Sequence, residues 1–102
     1  MKAVKVQYTV RPEYVEQNKA NIQKVMEFLK QNPITNMQYA SFTLADDQTF
    51  VHINMAPDQA TMDKLQDVEA FKEFRMALKA SEPLSPPKSE DLNLVAAGFE
   101  LR

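Results

Sequence analysis

Apolar and polar residues alternate along three stretches of this chain, and apolar residues repeat at helical spacing along two others. The alternation predicts strands over 2–10, 37–45 and 49–56, because successive side chains of a strand point to opposite faces of a sheet. A 3.6-residue period predicts helices over about 12–32 and 67–80, the second with Asp67 as its N-cap.

The segments between these elements predict one tight turn and two less regular connections. Asp46-Asp47 joins two predicted strands, which indicates a hairpin. The residues that precede Asp67 fit either a short helical turn or a loop. The proline-rich stretch over 83–87 predicts a connection without secondary structure, followed by a last strand over 92–101 that contains Gly98.

The resulting order of elements is β-α-β-β-α-β. This order predicts one ferredoxin-like α+β domain that comprises residues 1–102. Right-handed crossovers place both helices on one face of an antiparallel sheet with the strand order 4-1-3-2.

The alternation also predicts which residues form the core. The helices are expected to cover an apolar face of the sheet, which comprises Val4, Val6, Tyr8, Phe42, Val51 and Ile53. Their own buried residues are expected to be Ile22, Met26, Leu29, Phe71 and Phe74. The opposite, open face is then mixed in polarity and carries Lys5, Gln7, Tyr39, Thr43, Phe50, His52 and Asn54.

Two polar residues interrupt the apolar stripe of the first predicted helix. Asn18 and Lys19 would either line the mouth of a pocket or face water, and the sequence favours the solvent-facing position.

Composition removes several classes of function. The net charge of −2, with both signs interspersed, gives no basic surface for nucleic acid. The absence of cysteine excludes disulfides and thiolate chemistry. The alternating start of the chain does not resemble a signal peptide, and no apolar run is long enough to span a membrane, so we expect a cytoplasmic protein.

Short sequence motifs along most of the chain resemble those of the dimeric α+β barrel superfamily. These motifs lie at 8–15, 39–42, 49–53 and 70–74. They are most similar to those of the small, largely uncharacterised proteins grouped with antibiotic-biosynthesis monooxygenases. The resemblance implies a homodimer whose sheets pack face to face, with pockets inside the barrel or between sheet and helices. Some members oxidise aromatic polyketides without metal or flavin. The haem-degrading branch is not implied, because this chain lacks tryptophan and its histidine lies on a predicted strand.

His52 is the candidate catalytic residue, because the pKa of a histidine lies near neutrality and suits proton exchange with a phenol or enol. Gln7, Tyr39 and Asn54 are the candidate substrate-binding residues, with Gln7 as a neighbour of His52 on the open face. A single histidine without cysteine provides no metal site, and no cofactor is expected. A ring packed among Ile22 and Phe74 would refute both the face assignment and this catalytic proposal.

Two functions remain open at this point. The first is a cofactor-independent monooxygenase-like enzyme that acts on a small aromatic or enolic molecule. The second is a dimeric module that binds a small ligand, or none, without chemistry. A ligand-sized pocket that contains His52 favours the enzyme, whereas a sheet-to-sheet interface that fills the open face favours the second function.

Overall fold

The computed structural model describes residues 1–100 and contains one antiparallel sheet of four strands. The strand order is β2-β3-β1-β4, which confirms the predicted 4-1-3-2 order and the ferredoxin-like topology. The elements are β1 Lys2–Thr9, α1 Val15–Gln31, β2 Gln38–Thr43, β3 Thr49–Ala56, α2 Gln59–Asp63, α3 Glu69–Ala80 and β4 Ser85–Leu92. Short 3₁₀ turns precede α1 at Pro12–Tyr14 and α3 at Lys64–Asp67.

The first helix and the hairpin follow the sequence signals closely. Pro12 opens the 3₁₀ turn that leads into α1, and the helix ends at Asn32, whose backbone N–H still donates to the carbonyl of Phe28. In the hairpin turn, the Asp46 carboxylate accepts hydrogen bonds from the backbone N–H groups of Gln48 and Thr49. These bonds fix the turn that brings β2 against β3.

The segment before the last helix contains a helical turn of its own. Asp58 caps α2, because its carboxylate accepts a hydrogen bond from the backbone N–H of Thr61 at 2.8 Å. The predicted N-cap of α3, Asp67, is wrong. Val68 occupies that position and makes no side-chain cap.

The last strand lies earlier in the chain than predicted. The proline-rich stretch forms β4 itself, whereas residues 93–100 contain no strand and Leu101 lies outside the described residues. Pro86 and Pro87 are tolerated because β4 is an edge strand and its pairing with β1 is irregular where the prolines lie opposite Tyr8. The strand prediction therefore failed because edge position removes the need for every backbone N–H to pair.

The core lies between the sheet and the helices. It is built from Tyr8, Val10, Ile22, Val25, Phe50, Leu65, Val68, Phe71, Phe74 and Leu78, with Val6, Met26 and Leu29 packed against it. The predicted core faces of β1, α1 and α3 are thus confirmed, but Met26 and Leu29 of α1, which were predicted to be buried, are only partly so. None of the helices among residues 1–100 is long and apolar enough to cross a membrane.

The prediction for β2 and β3 placed the wrong face toward the helices. Phe50 is 1% exposed and belongs to the core, whereas Phe42 is 56% exposed on the open face. Val51 and Ile53 lie opposite Phe42 and Ala40 in the β2–β3 pairing and share their open face. The physical reason is that Phe50 stacks on Tyr8, with ring centroids 5.5 Å apart, and that the polar residues beside it are hydrogen-bonded or line a cavity.

Candidate functional site

A cavity of about 440 Å³ lies between the sheet and the helical segment that includes α2 and α3. Its apolar and aromatic lining comes from both layers and comprises Val4, Val6, Tyr8, Tyr39, Met62, Leu65, Phe71, Phe74 and Leu78. His52 and Asn54 on β3 contribute polar groups to the same wall. Its volume falls within the range of small-molecule pockets, roughly 300–1,000 Å³.

The imidazole of His52 is held between two tyrosine hydroxyls. Its Nε2 lies 2.7 Å from the Tyr8 hydroxyl, and its Nδ1 lies 2.9 Å from the Tyr39 hydroxyl. The ring also packs on Phe74, with centroids 5.4 Å apart. Because both ring nitrogens are occupied, His52 reaches a ligand through a tyrosine hydroxyl and not directly.

Burial keeps all three of these groups in their neutral forms at neutral pH. Loss of solvent lowers the pKa of His52 to about 4, and it raises the pKa of Tyr8 and of Tyr39 well above that of a free phenol. The inner wall of the cavity therefore presents neutral hydrogen-bonding groups and no charge.

Asn54 is buried beside this group and has an unused acceptor. Its Oδ1 has no hydrogen-bond partner among residues 1–100, although the residue is only 8% exposed. Asn54 lies directly opposite Tyr39 in the β2–β3 pairing, so their side chains project from the same face of the sheet. A buried amide oxygen without a partner costs free energy, and because the atom itself is inaccessible, a bound molecule would satisfy it only after the Asn54 side chain rotates toward the cavity.

Asn18 on α1 completes the hydrogen-bonded group. Its Nδ2 donates to the Tyr8 hydroxyl at 2.9 Å, and the residue is completely buried. The predicted solvent-facing position of Asn18 is therefore wrong. The signal was present in the sequence, because Asn18 is three residues after Val15 and four before Ile22 and so lies within the apolar stripe.

Lys19, the next residue, has a different environment. Its ammonium group pairs with Asp47 of the hairpin turn at 2.9 Å and lies outside the cavity lining. The two interruptions of the stripe thus have unrelated roles, one in the buried group and one at the surface.

The structure brings together three of the four predicted site residues. Tyr39, His52 and Asn54 all line the cavity, whereas Gln7 does not. Gln7 pairs with Val51 on the open face, and Val6 is the residue opposite His52, so the predicted proximity of Gln7 and His52 is wrong.

The predicted location of His52 between two sheets is also wrong, because its ring packs against Phe74 of α3. The catalytic proposal built on that location fails with it. Any catalytic role for His52 must instead use the cavity on the helix side of the sheet.

The outer part of the cavity is polar and mixed in charge. It includes Lys2, Gln59, Asp63, Gln66, Arg75, Ser89 and Asp91. Lys2 pairs with Asp91 at 3.5 Å, and the Arg75 guanidinium lies over the Phe71 ring at 5.8 Å from its centroid. Among residues 1–100, no three histidine, cysteine or carboxylate side chains are grouped so that they could hold a metal ion.

The fold matches solved structures that include antibiotic biosynthesis monooxygenases, although sequence identity is low. One such monooxygenase is 20% identical, with a TM-score of 0.79 over 94% of this chain and 100% of the other. Rv0793 from Mycobacterium tuberculosis is 13% identical, with a TM-score of 0.79 over 96% and 98% of the two chains. SnoaB, a cofactor-independent oxygenase from Streptomyces nogalater solved as a point mutant, is 16% identical, with a TM-score of 0.71 over 97% of each chain.

These matches confirm the fold that the sequence motifs predicted. No protein-family profile matches the sequence, and no curated protein has a significantly similar sequence. At these identities the likeness establishes the fold, while activity has to be argued from the site.

Proposed function

We propose that this protein is a cofactor-independent oxygenase of small aromatic or enolic molecules. The observation that carries the proposal is the 440 Å³ cavity. Its lining combines aromatic rings with neutral hydrogen-bonding groups from Tyr39, His52 and Asn54. The inner part of the cavity, which is uncharged and lined by aliphatic and aromatic side chains, suits an uncharged aromatic ligand better than a phosphate or a carboxylate. SnoaB, which shares the fold, is itself a cofactor-independent oxygenase.

The chemistry requires an electron-rich substrate that supplies its own electrons to dioxygen. Loss of a proton from an activated CH₂ group gives an enolate, which adds O₂ to form a C–O bond. Protonation gives a hydroperoxide, and loss of water leaves a C=O group. The balance is CH₂ plus O₂ to C=O plus H₂O, and no external reductant is consumed.

In this scheme the residues of the cavity bind, orient and exclude water. Tyr39 and Asn54 contact the substrate oxygen atoms, and the Phe71 and Phe74 rings shield the enolate from solvent. His52 holds the Tyr39 hydroxyl in place through a 2.9 Å hydrogen bond, and that hydroxyl donates to the substrate oxygen on which the enolate charge develops. The proton lost from the CH₂ group leaves to water at the polar outer part of the cavity.

One observation favours a second function, which is ligand binding without chemistry. A histidine with a pKa of about 4 is a weak base, and this one already has both nitrogens hydrogen-bonded. A cavity of this kind would bind the same class of molecule but release it unchanged.

Oxygen consumption distinguishes the two functions. Purified protein should be mixed with an anthrone-like or quinol compound, with O₂ uptake followed at an electrode and the product analysed by mass spectrometry. The oxygenase predicts O₂ uptake above the uncatalysed rate and a product in which CH₂ has become C=O. Calorimetric binding of the compound without O₂ uptake would establish the second function instead.

Variants on the two faces of the sheet locate the activity. Tyr39→Phe and Asn54→Leu should each lower kcat/KM at least tenfold, because each removes a polar group from the cavity wall. Gln7→Ala, on the open face, is the matched control and should retain the parent activity. Loss of activity in Gln7→Ala alone would place the site between two sheets and refute the cavity assignment.

We also propose that the protein is a homodimer that associates through the open face of the sheet. That face carries an apolar strip on β2 and β3, formed by Ala40, Phe42, Val51, Ile53 and Met55. The strip includes Phe42 at 56% exposure, and a second copy related by a two-fold axis would bury it against itself. The dimer surface and the cavity then lie on opposite faces of one sheet.

A further inference from the structure

The buried hydrogen-bonded group consists of Asn18, Tyr8, His52 and Tyr39, connected in that order. Its hydrogen bonds can be followed from donor to acceptor. Asn18 Nδ2 can only donate, so the Tyr8 hydroxyl oxygen accepts at its end. The hydroxyl proton of Tyr8 is then directed to the other neighbour, the Nε2 atom of His52, at 2.7 Å. Nε2 is therefore the acceptor nitrogen of the ring.

The second half of the group follows from the chemistry of a neutral imidazole. Such a ring carries one proton, and since Nε2 accepts, Nδ1 must be the protonated nitrogen. Nδ1–H donates to the Tyr39 hydroxyl oxygen at 2.9 Å. The proton of the Tyr39 hydroxyl is not used by His52, and Tyr39 lines the cavity, where that proton can be donated to a ligand.

We propose that Asn18 is a positioning residue that fixes the tautomer of His52 and thereby makes Tyr39 a hydrogen-bond donor toward the cavity. Asn18 does not line the cavity, and it acts through Tyr8 and His52. If the amide oxygen faced Tyr8 instead, every bond of the group would reverse. Tyr39 would then donate to Nδ1 and could only accept from a ligand.

The environment of Asn18 supports the observed orientation of its amide. The side chain is completely buried, and its Oδ1 has no partner among residues 1–100. A reversed amide would put the NH₂ group at that unpartnered position, and buried N–H groups without an acceptor are rarer in proteins than under-used carbonyl oxygens. The hydrogen bonds from Asn18 to Tyr39 therefore keep one direction, with Tyr39 as the donor toward the cavity.

The hydrogen-bonding groups of the cavity also restrict which ligand it binds, a point that rests on the proposed function. Tyr39 offers a donor, and Asn54, opposite it in the strand pairing, offers the unpartnered acceptor Oδ1. A molecule with a carbonyl oxygen accepts from Tyr39, whereas a ligand hydroxyl group reaches Asn54 Oδ1 only if that side chain rotates, because the atom is not accessible as it stands. The direction of the buried group itself does not depend on whether the protein turns over such a molecule.

The tautomer can be measured directly, because His52 is the only histidine of the chain. Ligand-free protein labelled with ¹⁵N-histidine gives one ring, and long-range ¹H–¹⁵N correlation at pH 7 distinguishes a protonated from an unprotonated ring nitrogen. We expect a protonated Nδ1 and an unprotonated Nε2. A protonated Nε2 in the parent protein would overturn the proposal without any variant.

Two isosteric variants of α1 test the role of Asn18. Asn18→Asp places an acceptor-only carboxylate against Tyr8, so the tautomer should switch to a protonated Nε2. Asn21→Asp makes the same change one turn further along the helix, outside the group, and should leave Nδ1 protonated. An unchanged tautomer in a folded Asn18→Asp whose new carboxyl is ionised, as shown by its ¹³C shift, overturns the assignment. If that variant does not fold, or if burial keeps its carboxyl protonated, the measurement on the parent protein decides. Because the spectra need no substrate, their outcome is independent of the oxygen-uptake test.

Discussion

The two faces of the sheet differ in a way that reverses the usual expectation. The face beneath the helices contains aromatic rings together with His52 and Asn54, both of which are buried. The open face carries Phe42 and the side chains of Val51 and Ile53, which are more exposed than their polar neighbours on β3. An aliphatic alternation therefore identifies a face that avoids water, but it does not identify which partner covers it.

Hydrogen bonding explains why the polar face can be the buried one. His52 has partners for both nitrogens, so its burial leaves no ring nitrogen unsatisfied. The aliphatic strip has no polar groups to satisfy and can be covered by any apolar surface, including a second copy. A sheet can therefore have both faces covered when one carries hydrogen-bonded polar side chains and the other carries aliphatic side chains.

The largest difference between the faces should appear in side-chain truncation. Phe71→Ala or Phe74→Ala should lower the free energy of unfolding by roughly 3–5 kcal/mol, because each ring is buried in the core. Phe42→Ala, measured by urea denaturation at a concentration where the protein is monomeric, should cost less than about 1 kcal/mol. Equal losses at Phe42 and Phe74 would mean that the two faces are not distinguished by burial.

A pH-dependent effect should come only from the helix-side face. The folded-state pKa of His52, about 4, lies below the unfolded value of 6.5, so the unfolded chain binds the proton first as pH falls. The stability contribution of neutral His52 is complete above pH 6.5 and is lost between about pH 6.5 and 4, by roughly 3 kcal/mol in total.

The matched control for this pH effect is His52→Gln. Its free energy of unfolding should vary less with pH over the same window, because the remaining change comes from carboxylates alone. Identical pH profiles for the parent protein and His52→Gln would contradict a buried neutral histidine.

Substitution on the open face should change association and leave folding intact. Phe42→Lys places a charge in the apolar strip, so the mass from light scattering should fall from that of two chains to that of one, 11.7 kDa. The circular dichroism spectrum should not change. Lys72→Ala, at an exposed position of α3 on the other side of the sheet, is the control and should remain dimeric. A parent protein that scatters as a single chain would refute the dimer.

The smallest expected effect is that of Asn18→Leu. The change removes a hydrogen bond to Tyr8 but also removes the unpartnered Oδ1 from the core, and these terms oppose each other. The free energy of unfolding should change by less than about 1 kcal/mol in thermal or urea denaturation. A loss of several kcal/mol would assign Asn18 a structural role that its unpartnered oxygen does not suggest.

Most of the fold could be predicted from the sequence, because local signals decide it. The turn at Asp46-Asp47, the helical stripe of α1 and the crossover rule together fix the order of the strands. The position of β4 could not be predicted in the same way. The predicted order already put the last strand at an edge of the sheet, but Pro86 and Pro87 argued against a strand over 85–92, and the irregular pairing opposite Tyr8 that accommodates them has no signal in the sequence.

The candidate site was predictable only in part. Strand alternation correctly placed Tyr39, His52 and Asn54 on one face, but it could not say that the helices cover this face. Gln7 lies apart from these three residues, because the β1 side chains that share the face of His52 are Val6 and Tyr8, and Gln7 pairs with Val51 on the open face. The pairing of His52 with two tyrosines from different strands depends on side-chain reach, which periodicity does not contain.

The central claim is that His52 is buried and neutral on the helix side of the sheet, and one titration tests it directly. Since the chain has a single histidine, its ring C–H signals can be followed by ¹H NMR from pH 8 to pH 3.5 without assignment variants. We predict that the signals stay at their neutral positions through pH 6 and begin to shift only as pH approaches 4. A midpoint near 6.5, the value of an exposed histidine, would contradict the account.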